Sequence, residues 1–315
     1  MANQIRLDNR VAIVTGAGRG LGRSHAMLLA QRGAKVVVND VGAELDGSGA
    51  DPSVANRVVE EIKAAGGAAV ANCDSIASPQ GARNIVQTAV DAFGTVDIVV
   101  NNAGAIRKKP FLEHSAEDFA ALVAVHQAGS FFVSQAAFEV MMKKRYGRFI
   151  FTTSVGGLRA NQNVAAYGSA KAGIVGLAFV VALAGAPHGI AANVISPYGY
   201  TRMANAPLTP SDPSRGHVTK PEYVSPAVLY LASEECKLNH EILTVGGGAV
   251  ARTIIALSPG WRATAPEDLT AEAIRDHLDQ IMDVSRFSNP LTSDDEGALF
   301  LGPAMAAADR DISRN

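Results

Sequence analysis

The chain has 315 residues, 48% of them hydrophobic and 18% charged, with a formal net charge of −2. That balance describes a folded globular protein with a sizeable core. With no Lys/Arg run longer than three residues, it argues against nucleic acid or an anionic membrane as a partner.

In chain order, short β-branched runs alternate with helical stretches. Residues 11–15 read as a strand, followed by a glycine turn and a helix over 21–32. A second strand (35–40) and helix (54–65) follow, then a third strand (68–73) with a helix near 80–93. The fourth strand, 98–102, opens on a uniformly apolar run and is expected to be buried on both faces. Ser115, with Asp118 three residues on, forms a capping box that opens a long helix. A strand over 148–153, a helix ending at Ala184 and a strand over 191–196 continue the alternation, which predicts an α/β fold with a parallel sheet and helices on both faces.

Two regions break the pattern. GAELDGSGADPS, 42–53, is a polar glycine-rich insertion that reads as a surface loop. The stretch 200–222 has four prolines and little periodicity, and suggests a lid over a cleft. A short strand near 241–245 then meets Gly246-Gly247-Gly248. The reading is one domain over 1–248 with a C-terminal extension, 249–315, in which Thr270 caps a helix carrying Ile274, Leu278, Ile281 and Met282 on one face.

Cys73 and Cys236 have no neighbours at ligand spacing, which predicts a reducing compartment and no metal site. MANQIRLDNRVAIV lacks the layout of a signal peptide and DISRN is not a peroxisomal address, so a cytoplasmic protein is expected. The most apolar run, 172–187, has about 15 residues before its proline, whereas a bilayer takes roughly 20. It reads as a buried helix.

The chemistry is carried by a few short motifs. VTGAGRGLG sets Gly16, Gly20 and Gly22 between a strand and a helix, where backbone can approach a pyrophosphate and the helix start offers free amides. Asp40 ends the second strand, where a carboxylate can accept both ribose hydroxyls of adenosine and would repel a 2′-phosphate. Arg19, in the glycine loop, could pair with such a phosphate, and the charge argument favours NAD over NADP all the same. Asn101-Asn102-Ala103-Gly104 follows the buried fourth strand, as suits a nucleotide crevice.

YGSAK places Tyr167 and Lys171 on one helix face. An ammonium one turn away would lower the phenol's pKa. Ser154, at the end of the fifth strand, can hydrogen-bond a substrate oxygen. VAVHQAGSFF holds a single titratable group, His126, which on its own reads first as a structural core residue, with a metal ligand or part of a proton path as the alternatives.

Thr15-Gly16-x-x-x-Gly20-x-Gly22, Asn101-Asn102-Ala103-Gly104, Ser154, Tyr167 and Lys171 together resemble the short-chain dehydrogenase/reductase family over roughly residues 8 to 248. The resemblance implies a Rossmann-type doubly wound sheet and a nicotinamide cofactor. It also implies a dimer or tetramer packed through the long helices, with the apolar helix at 172–184 as interface. By the same resemblance, Leu21 lies on the glycine-loop side of the cofactor, Asp74 and Ser75 lie by the adenine, and Pro197 lies near the nicotinamide. Ser154, Tyr167 and Lys171 then form the catalytic set. Val38-Asn39-Asp40-Val41-Gly42 with its insertion, Val70-Ala71-Asn72-x-Asp74-Ser75 and Lys220-Pro221-Glu222-Tyr223-Val224 resemble the (3R)-hydroxyacyl-CoA dehydrogenases within that family, whose bacterial relatives include 17β-hydroxysteroid dehydrogenases. The substrate class implied is a bulky apolar secondary alcohol. Most of the family has Asn where this chain has His126, anchoring a water that links the lysine to solvent. An imidazole can also accept one hydrogen bond and donate another, so a relay role is expected. The family's Pro-Gly before the lid is interrupted here by Tyr198.

Overall fold

The structure, a computed structural model, describes residues 4–199 and 219–312, with side chains to residue 302. Most of the lid expected over 200–222, including Arg202 and Arg215, lies outside the described residues. Its end is seen as a 3₁₀ turn, Pro221–Tyr223.

Strands β1 (Val11–Thr15), β2 (Lys35–Asn39), β3 (Ala68–Asn72), β4 (Ile98–Asn101), β5 (Gly147–Thr152), β6 (Ile190–Tyr198), β7 (Ile242–Gly246) and β8 (Ala249–Thr253) form one sheet. Their order is β3-β2-β1-β4-β5-β6-β7-β8, parallel up to the last pair, which is antiparallel. The order reverses between β1 and β4, so the crevice beyond their carboxyl ends is where such a sheet holds a ligand.

Helices cover both faces. On one, α1 (Gly20–Gln31), α2 (Ser53–Ala64) and α8 (Ser225–Ala232) bury Leu29, Val58, Ile62 and Leu231 against Ala12 and Val14. On the other, α3 (Pro79–Phe93), α5 (Gly129–Lys144) and α7 (Ala165–Gly185) bury Ile85, Val133 and Ile174 against Val11, Ile13 and Phe149. Consecutive β1 residues feed opposite cores, which is why the strand is apolar throughout rather than alternating. Each fully buried Leu or Ile contributes roughly 1.5–3 kcal/mol.

The capping box forms: Asp118 N donates to Ser115 Oγ and Ser115 N to Asp118 Oδ2, opening α4 (Ala116–Val123). The helix does not run on evenly. Ala124–Ala128 forms a π turn before α5 begins at Gly129. At the amino ends of the strands Asp97 is fully buried and accepts from Val11 N at 2.9 Å, Arg10 Nη1 at 3.1 Å and Lys144 Nζ at 2.5 Å.

Sequence periodicity missed α8, β8 and the last helix, Ser293–Ile312. The second moves the boundary: the dehydrogenase-like unit runs to Thr253, because Ala249–Thr253 folds back on β7, and the extension is Ile254–Asn315. Within that second unit Thr270 Oγ1 accepts from Ala273 N as expected. The single helix expected behind it is instead α9 (Ala271–Asp276) and α10 (Leu278–Ile281). They break at His277, whose ring stacks on Trp261 at 4.1 Å between centroids. Ile274, Leu278 and Met282 are exposed rather than forming a buried face. α11 (Ser293–Ile312) ends the described chain.

Candidate active site

The cleft at the switch point is built by close backbone approach. Gly16 has φ +63°, and a Cβ there would stand 2.7 Å from Ala103 Cα; a Cβ on Gly22 would stand 2.1 Å from Gly16 O. Thr15 Oγ1 accepts from Asn102 N (3.0 Å) and Ala103 N (3.1 Å), while Asn102 Nδ2 donates to Thr15 O and Gly16 O. The glycine loop is thus tied to the end of β4. Both Asp40 oxygens face backbone amides, Oδ2 accepting from Gly18 N at 2.8 Å and Oδ1 from Gly42 N at 2.7 Å. Each keeps a lone pair for a further donor. Arg19 Nη1 donates to Ala43 O. The Asp74 carboxylate is oriented by Asn72 Nδ2 and Asn84 Nδ2.

Deeper in, Ser154 caps α6 (Val155–Leu158), its Oγ accepting from Gly156 N at 3.0 Å. Tyr167 and Lys171 sit one turn apart on α7. Burial pushes the Tyr167 phenol above its ordinary value, while its hydrogen bond with Ser154 works the other way. Lys171, also buried, is held down to about 7. Its Nζ donates to Thr152 O at 2.7 Å and lies 5.9 Å from the centre of the Tyr167 ring. Burial outweighs the pull that Lys171 is expected to exert on the phenol. Desolvation is the largest cause for both groups.

His126 lies in the π turn, is fully buried and is held near 3, first by burial and then by the Lys171 charge, so the ring is neutral. Nε2 stands 2.7 Å from Ala105 O and 3.2 Å from Ala105 N. The shorter contact makes it the donor to the carbonyl, which leaves Nδ1 as an acceptor without a protein partner. The ring meets Tyr167 edge-on, centroids 5.2 Å apart. Gly104 makes room for it, since a Cβ there would lie 2.3 Å from His126 Cε1. Among the described residues no group of His, Cys, Asp and Glu is placed to hold a metal ion.

The cleft brings together Gly16, Arg19, Gly20, Leu21, Gly22, Asp40, Asp74, Ser75, Ala103 and Gly104. His126 and Tyr167 adjoin it through Ala105, which lines the cleft, and Ser154 and Lys171 lie beside Tyr167. Asn101 points away, its Nδ2 donating to Ser134 Oγ. Pro197 lies on β6 opposite Val245, outside the cleft lining. Sequence reasoning missed the Thr15 hydroxyl, the Thr152 carbonyl and the insertion: Ala43, Glu44, Leu45 and Gly47 line the cleft, so 42–53 is a wall of the site and not merely a surface loop. The signal for the first two was faint. A Thr before the glycines is one hydroxyl among many, and a carbonyl has no signature.

Residues 10–210 match the family described as "short chain dehydrogenase". The chain is 41% identical over 299 residues to mouse "Peroxisomal multifunctional enzyme type 2", which covers 93% of this chain but only 39% of that protein's length. Among solved structures it is similar to a short chain dehydrogenase from Mycobacterium avium (37% identity, TM-score 0.75, covering 88% of this chain and 96% of that one). It is also similar to a 7α-hydroxysteroid dehydrogenase complexed with NADH and 7-oxo glycochenodeoxycholic acid (32% identity, TM-score 0.71, covering 79% of this chain and 98% of that one).

Proposed function

The chain belongs to the short-chain dehydrogenase family of oxidoreductases, and from that membership we propose that it uses NAD to interconvert a secondary alcohol and a ketone on a bulky apolar substrate, a 3-hydroxyacyl-CoA. The observation that carries the reading is that Tyr167, hydrogen-bonded with Ser154 and one turn from Lys171, packs with Ala105 in the lining of the cleft that also holds Asp40. A dinucleotide fits that cleft. Its glycine loop leaves no room for side chains, the start of α1 offers free amides, and Asp40 keeps a lone pair on each oxygen for ribose hydroxyls. A 2′-phosphate would meet the same carboxylate, which favours NAD.

When bound, the nicotinamide supplies the acceptor for hydride. Tyr167 takes the hydroxyl proton of the substrate as the ketone forms. Ser154 orients the oxygen and, through its hydrogen bond, favours the phenolate over the phenol. Lys171 would hold the cofactor ribose, and His126, neutral, would pass hydrogen bonds without storing a proton. The acyl-CoA reading draws on the likeness to the peroxisomal enzyme. A 17β-hydroxysteroid is the second reading; the 7α-hydroxysteroid dehydrogenase neighbour supports a steroid as the substrate class but not the 17β position.

The test is a turnover panel with NAD and NADP against (3R)-hydroxyacyl-CoA, estradiol, testosterone and a polyol. The expected result is turnover of the acyl-CoA with NAD favoured about tenfold or more, equivalent to about 1.4 kcal/mol. Clear use of the polyol alone would reject the apolar substrate. NAD binding with no turnover of any compound would favour a sensor or scaffold. Tyr167→Phe is expected to keep cofactor affinity and lose turnover by several orders of magnitude. We further propose a homodimer or homotetramer, supported by the apolar side chains that α4, α5 and α7 leave in solvent, among them Phe119, Phe131, Val180 and Leu183.

A further inference from the structure

The insertion after β2 is tied down at both of its ends. Gly42 N donates to Asp40 Oδ1 at 2.7 Å and Asp51 N donates to Val41 O at 2.9 Å. Its tip folds on itself through Glu44 N to Ser48 O at 2.7 Å. Among the described residues, bonds then leave the loop. Ala43 O accepts from Arg19 Nη1 at 3.2 Å, Leu45 O from Ile106 N at 2.9 Å, and Asp46 O from Arg107 Nε at 3.1 Å. The insertion springs from β2 and residues 106–107 follow β4, strands that flank β1 on opposite sides. The loop therefore crosses the cleft, with Ala43 and Leu45 on its inner side beside Gly16 and Asp40.

Arg107 is itself fixed from behind. Its Nη1 donates at 3.0 Å to Oδ1 of Asp118, in the first turn of α4, and the other Asp118 oxygen receives Lys109 Nζ at 2.5 Å. The Lys109 hydrogen bond holds the Asp118 carboxyl below its ordinary range, so the anion that orients the guanidinium persists in mild acid. Gly42 (φ +75°) and Gly49 (φ +74°) take left-handed conformations that form the loop's turns.

Resting on the reading that the cleft holds a dinucleotide, we propose that residues 42–52 are a strap across the cofactor and that Arg107 is the positioning residue that latches it. Each latch is a single hydrogen bond to a main-chain carbonyl, so the strap opens without unfolding the sheet. Its opening sets how fast the cofactor leaves.

The experiment is stopped-flow displacement of NADH by excess NAD, followed by NADH fluorescence. It compares the full chain with Arg107→Ala, Arg107→Lys and a variant whose residues 43–49 are replaced by Gly-Gly. Release is expected to be about tenfold faster in Arg107→Ala and in the shortened strap, equivalent to about 1.4 kcal/mol, with Arg107→Lys between. Substrate KM should change little. Release within twofold of the unaltered chain in both variants overturns the proposal. The shortened strap keeps the Arg107–Asp118 pair, so it decides the matter if Arg107→Ala does not fold. NADH that fails to bind the unaltered chain at all overturns the dinucleotide reading, and this proposal falls with it.

Discussion

His126 is sealed from solvent, neutral, and held by one nitrogen. If its free Nδ1 carries a hydrogen-bonded path toward Lys171, His126→Asn should retain much of the turnover. His126→Leu should stay folded yet lose turnover and shift its pH dependence. A stable and active Leu variant would end the relay role. A purely packing residue predicts the reverse, with Asn destabilising by a few kcal/mol. Burial also has a consequence for acid stability. His25 and His126 are both held near 3 against an ordinary value of 6.5, so each takes up a proton on unfolding between those values. Stability should fall as pH drops through that window, each histidine contributing at most about 1.4 kcal/mol per pH unit. Urea unfolding from about pH 4 to 6.5 should show a shallower slope for His126→Asn. Tyr167, Lys171 and Ser154 were legible in the sequence because helix spacing and strand ends place side chains. Their proton affinities were not, because these depend on how deeply the fold buries each group and on which carbonyl the amine meets.

Strands with both faces buried announce themselves as unbroken apolar runs, and β1, β2 and β4 were readable for that reason. The insertion was not, because its inward and outward residues alternate with no regular period and its cross-cleft bonds use main-chain carbonyls. The amino ends of β1 and β5 depend on a feature equally hidden in sequence, the buried Asp97 shared by Arg10 and Lys144. Asp97→Ala would leave two cations beside the core and the Val11 amide without its acceptor. The expected cost is about 3–5 kcal/mol, read as a lowered denaturation midpoint with little change in m-value. A loss under 1 kcal/mol would mean that solvent reaches the cluster.

The first unit keeps apolar side chains in solvent on α7, where Val180 is 65% and Leu183 47% exposed. Ala116–Lys144 and Ala165–His188 are even long and apolar enough to cross a membrane by length and composition. Both nevertheless bury one face in the sheet's core, through Val133 and Ile174 among others. The remaining face suits a second copy of the chain. A Val180→Glu, Leu183→Glu double variant should lower the oligomeric state in light scattering while keeping its secondary structure. An unchanged mass would place the interface elsewhere. The second unit shows where reading a pattern stops being enough. Ile274, Leu278 and Met282 have helical spacing, but His277 stacks on Trp261 and divides the helix between them.

The π turn has a consequence that can be put in terms of phase. Gly129 N reaches back five residues to Ala124 O, so this turn holds one residue more than an α-helical turn would. Everything before it is rotated by about 100° relative to a continuous helix. Removing Ala128 should leave the helix content intact and rotate His126 by about 100° relative to α5, carrying the imidazole away from Ala105 and Tyr167. The placement of His126 is then a surplus of one residue, gained or lost by a single codon.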